Sequence, residues 1–289
     1  MDRLVMHIDK VYRKNLRMIF KCLLFLFGIT VATNAQVSNL LLAESTKEAF
    51  ADDMTKFSCR NEDRLSSVLN LLMDHGAEKK NIRIQDFEYA RNLELEKKGN
   101  SEETIVIGAH YDVRGSCGVI DNWSGITILA NIYGELKNKD TEKTYKFIFF
   151  GREEEGLIGS QEFVESLNGA TRKKICAMVN FDAFGLDKLK VFQKVTTKSM
   201  AAYAEKYALE NNFALANDGS KKGSTDSYSF KRKKIPAIGF HGLSEDWRKI
   251  LHSIADNSNN ANIDEIYYAY RFGQGFVASL DQVDCDEFR

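Results

Sequence analysis

The stretch Tyr145–Ser160, YKFIFFGREEEGLIGS, decides the fold. Phe147, Ile148, Phe149 and Phe150 form an apolar run of strand length without polar alternation, so it reads as a fully buried strand. From Gly156 the pattern turns helical, with Phe163, Val164 and Leu167 on one face. Between the two lie Glu153, Glu154 and Glu155. They are either a solvated acidic turn or acids at the end of a buried strand, where open α/β sheets place their ligands.

Outward from this stretch, the same unit repeats. Thr104–Ile107 is a second apolar run, ending in Gly108-Ala109-His110-Tyr111-Asp112. A loop then leads to Asp121-Asn122-Trp123-Ser124-Gly125 and a helix with Ile126, Leu129, Ala130, Tyr133 and Leu136 on one face. On the other side, Cys176–Asp182 (CAMVNFD) is a third strand ending in an acid, followed by a helix marked by Met200, Tyr203 and Tyr207. Pro236–Phe240 is a short strand, His241 and His252 fall in a polar loop, and Ile263, Ile266, Tyr267 and Tyr270 mark a closing helix. Before the core, Phe50, Met54 and Phe57 share a helical face, as do Leu65, Val68, Leu69 and Leu72 up to a stop at Gly76. His75 in that last turn reads as structural. Ile82 and Ile84, then Leu93 and Leu95, predict an edge hairpin. Alternating strands and helices predict a single-domain, three-layer α/β/α fold with a mixed, mostly parallel central sheet.

The 289 residues carry a net charge of −1, which offers no electrostatic footprint for nucleic acid. The sole proline, Pro236, excludes a proline-rich linker. Lys14, Arg17 and Lys21 precede an apolar run from Cys22 to Ala32, and Thr33-Asn34-Ala35 supplies small residues before Gln36. That layout predicts a signal peptide over residues 1–35 and a mature domain over 36–289, with Met18 an equally good start. A retained anchor is the competing reading. Cleavage predicts a secreted or periplasmic protein with no stable membrane anchor. It would leave Cys59, Cys117, Cys176 and Cys285 in an oxidising compartment, with three pairings open.

The strand ends deliver His110, Asp112, Glu153, Glu154 and Asp182, with Asp121 at a helix head and His252 after the last strand. Each has an ordinary explanation alone: a satisfied polar residue, an N-cap, a strand terminus. Together, imidazoles and carboxylates at neighbouring strand ends suit zinc without thiolate.

The motifs GAHYDV (Gly108–Val113), IDNWSG (Ile120–Gly125), FFGREEEGLIGS (Phe149–Ser160), NFD (Asn180–Asp182), STDSYSF (Ser224–Phe230) and LHSIAD (Leu251–Asp256) occur in that order. The chain therefore resembles the dizinc aminopeptidases of clan MH, peptidase family M-twenty-eight, from about Thr104 to Asn257. The resemblance implies a zinc-exopeptidase-like domain that cleaves N-terminal residues from peptides with a free N-terminus. It implies two zinc ions bridged by Asp121, with His110 and Asp182 on one and Glu154 and His252 on the other. Glu153 would be the general base. Asp112 would hydrogen-bond the far nitrogen of His110 and fix its tautomer. The Asp121-Asn122 peptide is a candidate for a cis bond.

Several positions depart from the family pattern. Arg152 precedes the glutamates where a small residue is common, and it either pairs with Glu155 or narrows the entrance. Leu251 and Ser224 stand where some relatives carry tyrosine and arginine. Asp226 is a pocket residue or a turn acid, and His241 reads as a loop residue rather than a pocket residue. Three alternatives remain. Glutaminyl cyclase shares the fold with one zinc, although the Val113–Ile120 loop is short for its bacterial versions. The related amidohydrolases and carboxypeptidases carry an inserted domain for which Gly159–Cys176 has no room. A non-catalytic peptide-binding module would have lost ligands, and here all are present. The preferred N-terminal residue and the oligomeric state are not legible.

Overall fold

Thr144–Phe150 forms β4, buried at every position but Lys146. Thr104–His110 (β3) and Ile175–Phe181 (β5) are buried throughout. Strands apolar on both faces are stable only when covered on both sides, and this sets the architecture. In the computed structural model, which describes residues 44–220 and 222–289, they form the middle of an eight-stranded sheet ordered β1-β2-β4-β3-β5-β8-β6-β7. The other strands are Ile82–Asp86 (β1), Arg91–Lys97 (β2), Lys190–Phe192 (β6), Ala216–Asp218 (β7) and Ala237–His241 (β8). Pairings β4/β3, β3/β5, β5/β8 and β6/β7 are parallel; β1/β2, β2/β4 and β6/β8 are antiparallel. The sheet is thus mixed with a parallel centre, and the predicted hairpin is its β1/β2 edge.

Alternate residues of the central strands serve opposite layers. Ile105, Ile107, Phe147, Phe149, Val179 and Phe181 pack toward Asn61–Asp74 (α2), Ser124–Leu136 (α3), Lys198–Glu210 (α6) and Ile263–Ser279 (α8). Val106, Ile148, Phe150 and Met178 pack toward Ile158–Ser166 (α4) and Ser227–Arg232 (α7) through Phe163, Val164 and Phe230. Three layers result, within one compact unit. Lys47–Asp53 forms α1 and Gly169–Lys174 forms α5.

Several local expectations shift. The first helix stops at Asp53, so Met54 caps it and Phe57 lies beyond it. Helix α4 starts at Ile158, after Leu157 turns with φ +64°, and Leu167 follows its end. The three-residue strands β6 and β7 carry too little pattern to be read from sequence. The cysteines pair as Cys59–Cys117 and Cys176–Cys285. His75 is structural: its Nε2 lies 2.8 Å from Asp53 Oδ2. The expected signal segment and the boundary at residue 36 lie outside the described residues.

Candidate metal centre

Strand order positions the centre. From β3 the chain moves to β4 on one side and later to β5 on the other. Such a switch point opens a crevice at the carboxyl ends of the strands. His110 is the last residue of β3, level with Phe150 of β4, and Gly108 is level with Asn180 of β5. Glu153 and Glu154 follow β4, and Asp182 follows β5. Asp121 sits in a tight turn, Val119–Trp123, ahead of α3, and its peptide bond to Asn122 is cis. Gly125 opens α3 where a Cβ would meet Phe181 O and Asn122 Oδ1 at 2.4 Å, so only glycine lets the helix approach β5 this closely.

The side chains converge into two groups sharing Asp121: His110, Asp121 and Asp182, and Asp121, Glu154 and His252. Asp121 Oδ1 lies 2.9 Å from His110 Nε2, and Oδ2 lies 3.4 Å from His252 Nε2. His110 Nε2 is also 3.3 Å from Asp182 Oδ1, and His252 Nε2 is 2.8 Å from Glu154 Oε2. One carboxylate therefore faces two imidazoles with its two oxygens.

The donor set fits divalent zinc on three grounds. The ligand atoms of each group lie within 4.8 Å of one another. Glu154 Oε1 is buried without a hydrogen-bond partner among the described residues, an orphan lone pair that costs stability unless something occupies it. The field favours positive charge. Hydrogen bonds to Asp121 and Glu154 hold the His252 imidazole up at about 10. Burial pulls His110 down, yet Asp182, Glu153, Asp112 and Asp121 hold it well above its ordinary value. Burial likewise opposes ionisation of Asp121, but His110 and His252 keep it below the usual carboxylate range. A place that retains protons so strongly also suits a cation.

Asp112 differs from expectation. Its carboxylate is 3.6 Å from His110 Nδ1, beyond hydrogen-bond distance. Instead its backbone oxygen lies 3.2 Å from Nδ1, and its carboxylate accepts from the N–H groups of Glu153 (3.0 Å) and Glu154 (3.1 Å). One residue thus sets the imidazole through its main chain and clamps the glutamate turn through its side chain.

The three glutamates separate. Glu154 is in a ligand group. Glu153 is in neither group but lines the same cavity; burial holds its carboxyl well above the usual range, with Asp182, Asp226 and Asp121 adding to this against the pull of His110. Glu155 is exposed and forks onto Arg152, Nε to Oε1 at 2.9 Å and Nη2 to Oε2 at 2.6 Å.

Two open readings are decided. Asp226 lies in the turn that opens α7 and does not line the cavity. It is fully buried, both oxygens lack a partner among the described residues, and burial pushes it up to about 7. His241 is not in a loop: it ends β8, is 6% exposed and lines the cavity. Its partner across the cavity wall is Asp218 on the short strand β7, invisible to pattern reading.

Three supporting residues escaped the sequence reading. Asn122 donates to Phe181 O (2.9 Å) and accepts from Ala183 N (3.1 Å), locking Asp121's neighbour to both sides of Asp182. Asp256 accepts from the N–H groups of Ile120 (2.7 Å) and Asp121 (3.2 Å), and burial pushes its carboxyl up to about 6. Both lie inside quoted motifs. Arg64 is wholly buried on α2 and donates to carbonyls of the loop between His110 and Asp121; its one signal is a charge on the apolar face of Val68, Leu71 and Leu72.

Backbone strain collects here. Among the described residues, non-glycine positive φ occurs at Arg152 (57°), Leu157 (64°), Ala183 (62°) and His252 (59°) around the centre, besides Asn212 and Lys234 elsewhere. Left-handed backbone at side-chain-bearing residues is costly and is retained where a site demands it.

An open α/β sheet with imidazole–carboxylate pairs at its switch point defines an α/β protein with a candidate metal centre. The family model described as Peptidase family M28 matches residues 92–271, and the chain belongs to that family. The chain is 36% identical over 100 residues to a probable lipoprotein aminopeptidase, LpqL, of Mycobacterium tuberculosis, covering 34% of this chain and 20% of that protein. The chain spans about a fifth of the length of the first curated relatives it matches. Its fold is similar to that of BSAP, a zinc aminopeptidase from Bacillus subtilis, with TM-score 0.60 and 22% identity over 69% of this chain and 54% of that one. It is also similar to an Acidobacteriales bacterium glutaminyl cyclase, with TM-score 0.70 and 13% identity over 84% of this chain and 97% of that one.

Proposed function

We propose that this chain is a zinc-dependent aminopeptidase that hydrolyses N-terminal residues from peptides and holds two zinc ions. The observation that carries the reading is Asp121, whose two oxygens face His110 and His252 from the middle of two ligand groups. His110, Asp121 and Asp182 would hold one ion, and Asp121, Glu154 and His252 the other. When bound, zinc supplies Lewis acidity, making a water molecule acidic near neutral pH and polarising the scissile carbonyl. Glu153 accepts that water's proton at its carboxylate and returns it to the departing amine nitrogen. Asp112 keeps Glu153 and Glu154 in register by gripping both their N–H groups.

We further propose export to the periplasm or the cell exterior. The residue 1–35 pattern motivates this, and two disulfides within the described residues suit an oxidising compartment. No helix among the described residues is long and apolar enough to cross a membrane.

Glutaminyl cyclisation is the second reading, favoured by the fold likeness to a glutaminyl cyclase. The complete group of His110, Asp121 and Asp182 supports the two-ion reading instead. A panel of aminoacyl reporter substrates with added zinc tests the aminopeptidase. Release of free amino acid is the expected result. Pyroglutamate from a glutamine-initiated peptide, with no amino acid released from any substrate, would overturn it.

A further inference from the structure

Arg152 opens the glutamate turn with φ +57°, a left-handed backbone that glycine adopts freely and a residue with a long side chain does not. All three of its guanidinium nitrogens are engaged. Nε donates to Glu155 Oε1 at 2.9 Å and Nη2 to Glu155 Oε2 at 2.6 Å. Nη1 donates to the backbone oxygen of Tyr89 at 2.6 Å, in the turn between β1 and β2. The Tyr89 N–H donates in turn to Glu162 Oε1 on α4 at 3.0 Å. One hairpin tip is thereby tied both to the residue before Glu153 and to the helix after it. Between these ties Glu153 is held through its main chain. Its N–H goes to Asp112 Oδ1 at 3.0 Å, and its carbonyl accepts from Gly156 N (2.9 Å) and Leu157 N (2.8 Å). The Arg152 and Glu155 side chains are 41% and 57% exposed, and an ion pair so exposed adds little stability. Stability therefore does not account for a strained arginine at this place. The pair also stands outside the cavity, which Glu153, Glu154, Gly156 and Leu157 line, so its effect on the reaction runs through its neighbours.

We propose that Arg152 is a positioning residue: its fork on Glu155 and its bond to Tyr89 brace the turn so that the Glu153 carboxylate faces the cavity in one fixed approach. This inference rests on the aminopeptidase reading above, in which Glu153 carries the proton. Strand order explains why two grips are needed. β4 lies between β2 and β3, and the turn leaves its end without a neighbouring strand to pair with. Asp112 holds that turn from the β3 side, through the N–H groups of Glu153 and Glu154. Arg152 holds it from the hairpin side. A proton-carrying carboxylate has to stay close to its productive place, because a displacement of about 1 Å costs about a hundredfold in rate. Arginine suits the task because its planar fork fixes direction as well as distance, which a lysine ammonium cannot do.

The test compares Arg152→Gly, Arg152→Lys and Glu155→Gln with the unaltered protein, zinc-loaded and below the unfolding transition of each. Arg152→Gly accommodates the left-handed backbone and removes the brace. Its kcat on aminoacyl reporters should fall by about ten- to a hundredfold, with KM within about twofold and zinc content unchanged. Arg152→Lys keeps the charge without the fork and should stay within about threefold of the glycine variant. Glu155→Gln should show the same split between kcat and KM at smaller size, and it carries the test if Arg152→Gly does not fold. A kcat within about threefold of the unaltered protein, a loss carried mainly by KM, a loss of zinc, or full recovery in Arg152→Lys would overturn the proposal. If the unaltered protein hydrolyses no reporter, the aminopeptidase reading falls. The brace is then judged by hydrogen exchange: the N–H groups of Glu153 and Glu154 should exchange about tenfold faster or more in Arg152→Gly, and unchanged exchange would overturn it.

Discussion

Replacing Arg64 should destabilise the fold well beyond what a residue distant from the metal ligands suggests. Its guanidinium is wholly buried yet forms no ion pair among the described residues. It donates to Tyr111 O (3.0 Å), Ser58 O (3.2 Å), Cys117 O (3.2 Å) and Gly118 O (3.1 Å), and lies 5.0 Å over the Trp123 ring. Burial pulls it down to about 10, so it stays charged at neutral pH and offsets Asp256, Asp112 and Asp121. In Arg64→Met the aliphatic stem is kept and the fork is lost. Gly118 O retains the Trp123 N–H at 3.0 Å, which leaves the carbonyls of Ser58, Tyr111 and Cys117 without their donor. At about 1 kcal/mol each for partly buried carbonyls, the loss is about 3 kcal/mol. For a domain of this size that is a fall in Tm of about 6–12 °C. Thermal unfolding followed by circular dichroism, with disulfides intact, reads it. Arg64→Lys should recover only part, because an ammonium cannot span four carbonyls on three sides. A loss below about 1 kcal/mol in Arg64→Met would show that the loop from Tyr111 to Gly118 is held by the Cys59–Cys117 bridge and not by the guanidinium.

Glu153→Gln should retain zinc, measured by metal analysis after dialysis, while turnover falls by about 10²–10⁴-fold; normal turnover would remove Glu153 from the proton shuttle. Asp121→Asn should lose zinc, because both ligand groups depend on that carboxylate, and full metal content in this variant would refute the bridging role. Glu135 on α3 hydrogen-bonds the Tyr270 hydroxyl, and burial raises its carboxyl from 4.5 to about 7. The fold prefers the protonated form, so this contribution is complete below about pH 4.5 and declines as pH rises to about 7. Glu135→Gln should therefore flatten the pH–stability slope in that window and add about 2–3 kcal/mol at pH 8; an unchanged slope in urea titrations would discard the assignment.

The fold was legible where local pattern is strong. The runs at Thr104, Thr144 and Cys176 are apolar on both faces, so they had to be buried strands, and the acids and histidine ending them had to emerge at one edge. Where an element is short, as in the three-residue strands β6 and β7, no period exists to read, and Asp218 went unnoticed with them. His241 was misplaced because a strand boundary shifted by one residue turns a loop residue into a wall of the cavity. Asp112 shows a different limit: its residue type suited contact with His110, but which of its atoms makes that contact depends on where the glutamate turn arrives. Arg64, Asn122 and Asp256 act across long sequence separations, and no local spacing encodes such partners.

By itself the sequence determined which residues could be buried, that strands and helices alternate, and which chemical types stand at the strand ends, because these follow from side-chain hydrophobicity and backbone period. Only the tertiary structure decided that β4, β3 and β5 lie in that order, so that Glu154, Asp121 and Asp182 meet His110 and His252. It also chose the disulfide pairing and set His241 against Asp218 beside the cavity. Strand order and loop closure are settled by non-local packing, which selects one arrangement among many that the same local patterns allow.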